Sequence, residues 1–329
     1  MGLFHHSVNF DDKTLTIEQR YGKAFLELIN PTTRKNGYEK LEKIENDFPE
    51  ASIPLGQYYS GKKSINHFER AAKAGLPEGH FCICRMMGNS DKTNMNSLRN
   101  RTWFLHMFKA AQGECTEACH ELAHFYFIRK YYIESLYWYY MAKCLGHNQA
   151  ENGIKYSLDM ILHDDTIKGE DAYYFSTDQM QTATILLKEL LSCGETDVKT
   201  KLALLAQGNE RLAKYVLGSY YERNNNWEEA YLTYLSMTYD NAYHGLRRCA
   251  DILSLGQYSI DQKKDEEIAM AYYKNAAEHG NVPSMFAMGE YYYKKQDRYS
   301  AACYYGQAYI RGLEKAGVRL KELTTISIR

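Results

Sequence analysis

A nine-residue phrase recurs along this 329-residue chain and limits its fold more than any other feature. It reads small residue, three variable positions, Leu or Met, Gly or Ala, two variable positions, Tyr. The copies are ASIPLGQYY from Ala51, ACHELAHFY from Ala118, AKYVLGSYY from Ala213 and SMFAMGEYY from Ser284; a weaker copy from Ala242 keeps Leu246 in register. A second phrase follows several of these: aromatic or His, aromatic, two variable positions, Ala, three variable positions, Gly. It occurs as HFERAAKAG ending at Gly75, WYYMAKCLG at Gly146, YYKNAAEHG at Gly280 and YYGQAYIRG at Gly312, and, one residue shorter, as HMFKAAQG at Gly113. Neighbouring copies place these glycines 38, 33 and 32 residues apart, the period of a helix-pair repeat.

Each phrase carries the marks of one helix of a pair. In the first, the recurring positions lie on one side of a 3.6-residue helix. The Gly or Ala beside the Leu lets a partner helix approach closely, and the Tyr fills space one turn on. In the second, the aromatic pair and the Ala form the answering face, and the terminal Gly supplies the left-handed residue that ends a helix. A single pair leaves apolar faces open, so only stacking buries them.

The register resembles the Sel-one-like repeat (SLR), a relative of the tetratricopeptide repeat. The clearest copy is LGQYSIDQKKDEEIAMAYYKNAAEHGN, residues 255–281, where Asp265, Ala269, Tyr272, Tyr273, Ala276, Ala277 and Gly280 match the family's second helix. The resemblance implies an all-α fold, a right-handed α/α superhelical solenoid of about 7–8 helix-turn-helix repeats. The expected organisation is one continuous solenoid: a degenerate N-terminal repeat or cap over 1–50, with helices near 17–29 and 37–47; SLR-type repeats over 51–155; an irregular helical unit over 156–208; SLR-type repeats over 209–312; and a C-terminal capping helix over 313–329 with its charges toward water.

Charge and cysteine usage narrow the function classes. With 40 Lys plus Arg against 41 Asp plus Glu, the net charge is -1, and there is no basic footprint for nucleic acid or an acidic membrane. No run of 18 apolar residues occurs, so membrane insertion is not expected. The 8 cysteines follow neither a zinc-ribbon nor a disulfide spacing, which points to reduced, mostly buried thiols in a cytoplasmic protein. Walker A, G-x-S-x-G, G-x-G-x-x-G and C-x-x-C motifs are absent from the sequence, and no cofactor is expected.

One stretch argues for a different class. His120, Glu121 and His124 spell H-E-x-x-H, the helix-borne pattern of zinc proteases, so the alternative function is a zinc-dependent hydrolase using HELAH at 120–124, with His120 and His124 as metal ligands. The extended zincin form fails because Phe127 stands where Gly is needed, and on a helical wheel Cys115 and Cys119 fall on the packed side, opposite the histidines. The register makes Leu122 and Ala123 the packing pair and leaves the histidines at variable positions.

The preferred reading is therefore a non-enzymatic scaffold or adaptor that binds a partner peptide or helix in a concave groove. In tetratricopeptide-like superhelices the first helix of each pair lines that groove. Carried over by register, the contact residues are Gln57; His120, His124 and Phe127; Tyr215, Ser219 and Glu222; and Phe286, Glu290 and Tyr293. Interleaved aromatic, hydroxyl and carboxylate groups suit an extended peptide or a helix.

Overall fold

The recurring phrases fall on helices. The computed structural model describes residues 10, 14–88, 97–163, 210–240, 243–260 and 265–325. In chain order the helices are α1 (Ile17–Ile29), α2 (Arg34–Ile44), α3 (Ser52–Tyr58), α4 (Gly61–Lys73), α5 (Pro77–Met87), α6 (Leu98–Gln112), α7 (Thr116–Ile128), α8 (Tyr132–Cys144) and α9 (Ala150–His163). They continue as α10 (Arg211–Arg223), α11 (Trp227–Ser236), α12 (His244–Ser254), α13 (Asp265–Glu278), α14 (Val282–Lys294), α15 (Arg298–Ile310) and α16 (Glu314–Thr325), with short 3-10 turns at Pro49–Ala51 and Met237–Asp240. No strand occurs among the described residues. Most of the irregular unit expected over 156–208 lies outside them.

The pairs close as their chemistry requires. Ala51, Leu55, Ala118, Leu122, Ala123, Ala213 and Ser284 are all fully buried. The glycine of the first phrase is where the answering aromatic lands: a Cβ on Gly56 would sit 2.5 Å from the Phe68 ring, on Gly218 2.5 Å from Tyr234, and on Gly289 2.5 Å from Tyr305. Each of those rings is the second aromatic of its own second phrase or the equivalent residue of α11. Gly and ring thus form a matched unit that sets the spacing of α3 with α4, α10 with α11 and α14 with α15.

The glycines that end the second helices behave as expected at four places, with φ of 88° at Gly75, 96° at Gly146, 93° at Gly280 and 90° at Gly312. Gly113 departs from this. It keeps φ -82° as the C-cap of α6, and the left-handed residue is Glu114, φ 67°. The phrase there is one residue shorter, so the left-handed position falls one residue past the Gly.

The chain divides into two compact units, 1–86 with 276–329 and 87–275. In the first unit α1 packs along α15, although the two lie at opposite ends of the sequence. A Cβ on Gly22 would overlap the Tyr299 carbonyl oxygen, and one on Gly306 would meet the Phe25 ring at 2.8 Å. The Gln19 side chain adds a hydrogen bond to Asp297 at 3.0 Å. Arg311, at the end of α15, is buried against Glu78 of α5 at 2.8 Å. In the second unit, Glu210 caps α10 and accepts from Tyr137 at 3.1 Å, tying α10 to α8.

Candidate functional site

The ten residues assigned by register lie on the first helix of each pair, at the second, sixth and ninth positions after the small residue. The structure divides them by what covers them. Gln57 and His124, at the same register position on α3 and α7, are exposed to water. The others touch neighbouring helices.

On α7, His120 is half-buried and its ring stacks on His147, with centroids 4.0 Å apart and planes 15° apart; Tyr139 meets it edge-on at 5.3 Å. The His147 Nδ1 accepts the Gln149 backbone N–H at 3.3 Å. Burial pushes the pKa of His147 down to about 4, with His120 adding to the effect and Glu121 opposing it. Burial likewise lowers His120. Both rings are therefore neutral at neutral pH, as a stacked pair requires. Phe127 packs edge-on against Tyr132 at 5.5 Å.

A helix-borne zinc site needs three converging donors. Among the described residues no group of three or more His, Cys, Asp or Glu side chains comes together in that way. Cys115 and Cys119 are buried on the packed side of α7, and the Cys119 thiol donates to the Ala111 carbonyl at 3.5 Å. The described cysteines are all free thiols. Burial pushes Cys119, Cys144, Cys249 and Cys303 well above the ordinary thiol range, which leaves them without nucleophilic character.

On α10, Tyr215 lies against Tyr234 (5.5 Å) and His244 (5.3 Å), and Ser219 shares a hydrogen bond of 3.2 Å with the Tyr234 hydroxyl. Glu222 takes the Arg248 guanidinium on both oxygens, and Arg248 also donates to Asp251 at 2.8 Å. His244 is fastened in turn by Glu114, whose carboxylate meets its Nδ1 at 2.5 Å and its backbone N–H at 3.3 Å.

On α14 the row Phe286, Glu290, Tyr293 faces α16. Lys315 lies over the Phe286 ring at 4.2 Å and Arg319 over Tyr293 at 5.5 Å. Arg319 donates to the two Glu290 oxygens at 2.7 and 3.0 Å. Lys315 stays exposed, as expected for the charges of the last helix, whereas Arg319 is only 34% exposed and turns onto Glu290. Glu290 is partly buried, and the Arg319 side chain, reaching over from α16, supplies its cation.

Several residues escaped notice in the sequence. His244 and Arg248 fall inside the weaker copy from Ala242, at its second and sixth positions after the small residue, while Lys315 and Arg319 belong to none of the quoted copies; each pair is spaced by four at the head of a helix. Glu134, near the start of α8, is fully buried, and neither of its oxygens has a hydrogen-bond partner. Burial pushes its pKa up to about 7.

Stacked helix pairs, matched Gly and aromatic contacts and left-handed glycine stops define an all-α repeat protein of the α/α solenoid class. Two solved structures resemble it. One is a protective antigen of uropathogenic Escherichia coli strains with an SLR fold, at 17% identity, covering 96% of this chain and 74% of that one, TM-score 0.37. The other is a Sel1 repeat protein from Oxalobacter formigenes, at 15% identity, covering 96% and 86%, TM-score 0.39. No known family profile matches the chain, and no curated relative matches it. The fold assignment rests on the chain's own register. Among the described residues, no helix is long and apolar enough to cross a membrane.

Proposed function

We propose that this chain is a non-enzymatic scaffold or adaptor that holds a partner peptide or helix along the first helices of its repeats. The contacts are drawn from Gln57, His120, His124, Phe127, Tyr215, Ser219, Glu222, Phe286, Glu290 and Tyr293. The observation that carries this reading is that Gln57 and His124 occupy one register position on two repeats and are both open to water. Within each unit, an exposed position of that kind on a first helix offers a contact to a partner. The partly buried aromatic residues beside them supply contact area without large side-chain entropy cost. The seven cysteines among the described residues are free thiols, which suits a reducing, cytoplasmic setting.

The test is photo-crosslinking from positions 57 and 124 in cells, followed by calorimetry of the identified partner with purified chain. Gln57→Ala and His124→Ala should each weaken binding by roughly fivefold or more, with helicity unchanged. A confirmed partner that no substitution among the ten affects would overturn the assignment of the surface. Stoichiometric zinc, with a peptidase activity lost in Glu121→Gln, would overturn the non-enzymatic reading.

A further inference from the structure

In the second unit, α6 has two distinct sides. Its inner side is buried: Trp103 and Phe104 pack their rings against Phe125 of α7, and Met107, Ala110 and Ala111 continue the same side. At 100° per residue, Leu98, Arg101, Leu105 and Lys109 fall within about 80° of one another, opposite that buried side. All four are exposed, Leu98 by 74% and Leu105 by 48%. The two leucines stand seven residues apart, about 10 Å along the helix axis, and the two cations stand in line with them.

The charge on this outer side is unanswered. The helix carries Arg99, Arg101 and Lys109 and neither Asp nor Glu. Arg99 turns to the Met87 carbonyl. Among the described residues, the Arg101 and Lys109 side chains make no hydrogen bond, ion pair or ring contact. The next acid in sequence, Glu114, is held by His244 through both its oxygens.

That chemistry selects an occupant. Leucines in line with unpaired cations favour a surface that brings apolar side chains and carboxylates together. A second copy's α6 would set cation against cation. An anionic bilayer would answer the charge, but two leucines on three turns offer far less apolar area than helices that lie in a membrane surface. A helix can repeat its side chains with the same seven-residue period. We propose that the outer side of α6 is a docking surface for an acidic amphipathic helix of a partner protein, which packs Leu-like side chains seven apart on Leu98 and Leu105 and sets Asp or Glu against Arg101 and Lys109. The surface belongs to a second helix and does not depend on the first-helix positions of the scaffold reading.

The probe is a labelled, end-blocked helical peptide of about 21 residues, with Leu at every seventh position, Glu on both sides of it and Ala elsewhere. It is titrated into the full-length chain by fluorescence anisotropy. Leu105→Ser should weaken binding about tenfold, and Arg101→Glu with Lys109→Glu by at least as much. The charge-reversed variant should instead bind the same peptide carrying Lys in place of Glu, about as tightly as wild type binds the Glu peptide. These side chains are exposed, so the far-ultraviolet circular dichroism of each variant should match wild type. No binding of the Glu peptide by wild type at about 100 μM would overturn the proposal. So would binding that charge reversal leaves unchanged, or a reversed variant that gains nothing with the Lys peptide. Wild-type binding to vesicles of phosphatidylserine and phosphatidylcholine that the same substitutions abolish would overturn it in favour of a membrane surface, and a dimer that they break would do so in favour of a second copy. If a partner still depends on Gln57 and His124 while the peptide fails, the scaffold reading stands and only this inference falls.

Discussion

Glu134→Gln should stabilise the protein at alkaline pH and erase a pH dependence that the wild type carries. The Glu134 side chain is 0% exposed, and neither oxygen finds a hydrogen-bond partner. Burial opposes ionisation, with the carboxyl's own backbone amide a smaller effect the other way, and the pKa moves from 4.5 to about 7. Between those values the folded chain keeps a proton that the unfolded chain has released, so stability falls as pH rises. Below about 4.5 both states are protonated and the penalty vanishes; above about 7 it is complete, on the order of 3 kcal/mol. The Gln amide cannot ionise, and it costs the same at every pH. Urea unfolding of both proteins between about pH 5 and about pH 8.5 tests this, with far-UV circular dichroism as the signal. The difference between variant and wild type should move in the variant's favour by on the order of 3 kcal/mol across that range. A difference that stays constant to within about 0.5 kcal/mol would show that the carboxylate has found a partner or water, and the reasoning would fail.

Other perturbations follow from the same contacts. Gly289→Ala places a Cβ 2.5 Å from the Tyr305 ring, so urea midpoints should report a loss of about 1–3 kcal/mol; an unchanged midpoint would mean that the α14–α15 spacing is not set there. Arg311→Leu strands Glu78 in the interior and should cost about 3–5 kcal/mol, most of it recovered by adding Glu78→Leu. Thermal melts of the single and double variants check this, and no recovery in the double variant would refute it. His147 should titrate near pH 4 by nuclear magnetic resonance. Because that value lies below the unfolded one, its contribution to stability is complete above about 6.5 and is lost as pH falls toward 4. A midpoint near the ordinary histidine value would dissolve the His120–His147 stack.

The contacts inside each helix pair were legible in the sequence, and the contacts between pairs were not. Inside three pairs an aromatic ring lands on a facing glycine, Gly56 with Phe68, Gly218 with Tyr234 and Gly289 with Tyr305, so the two recur together and a repeated phrase results. Between pairs no such constraint applies. His120, Tyr215 and Phe286 share one register position, yet they meet His147, His244 and Lys315, residues that stand in a turn, at a helix start and on a terminal helix. Each contact is decided by what the following segment carries at a position that the phrase leaves variable or does not reach. The same limit hid α1 on α15, since Gly22 belongs to no repeated phrase. It also explains HELAH. Spacing by four places His120 and His124 near one another on α7, and a two-residue pattern contains nothing more. A neighbouring imidazole stacks on His120 and none covers His124, so two histidines that look alike in sequence differ in setting: one packs against His147 and Tyr139, and the other is exposed.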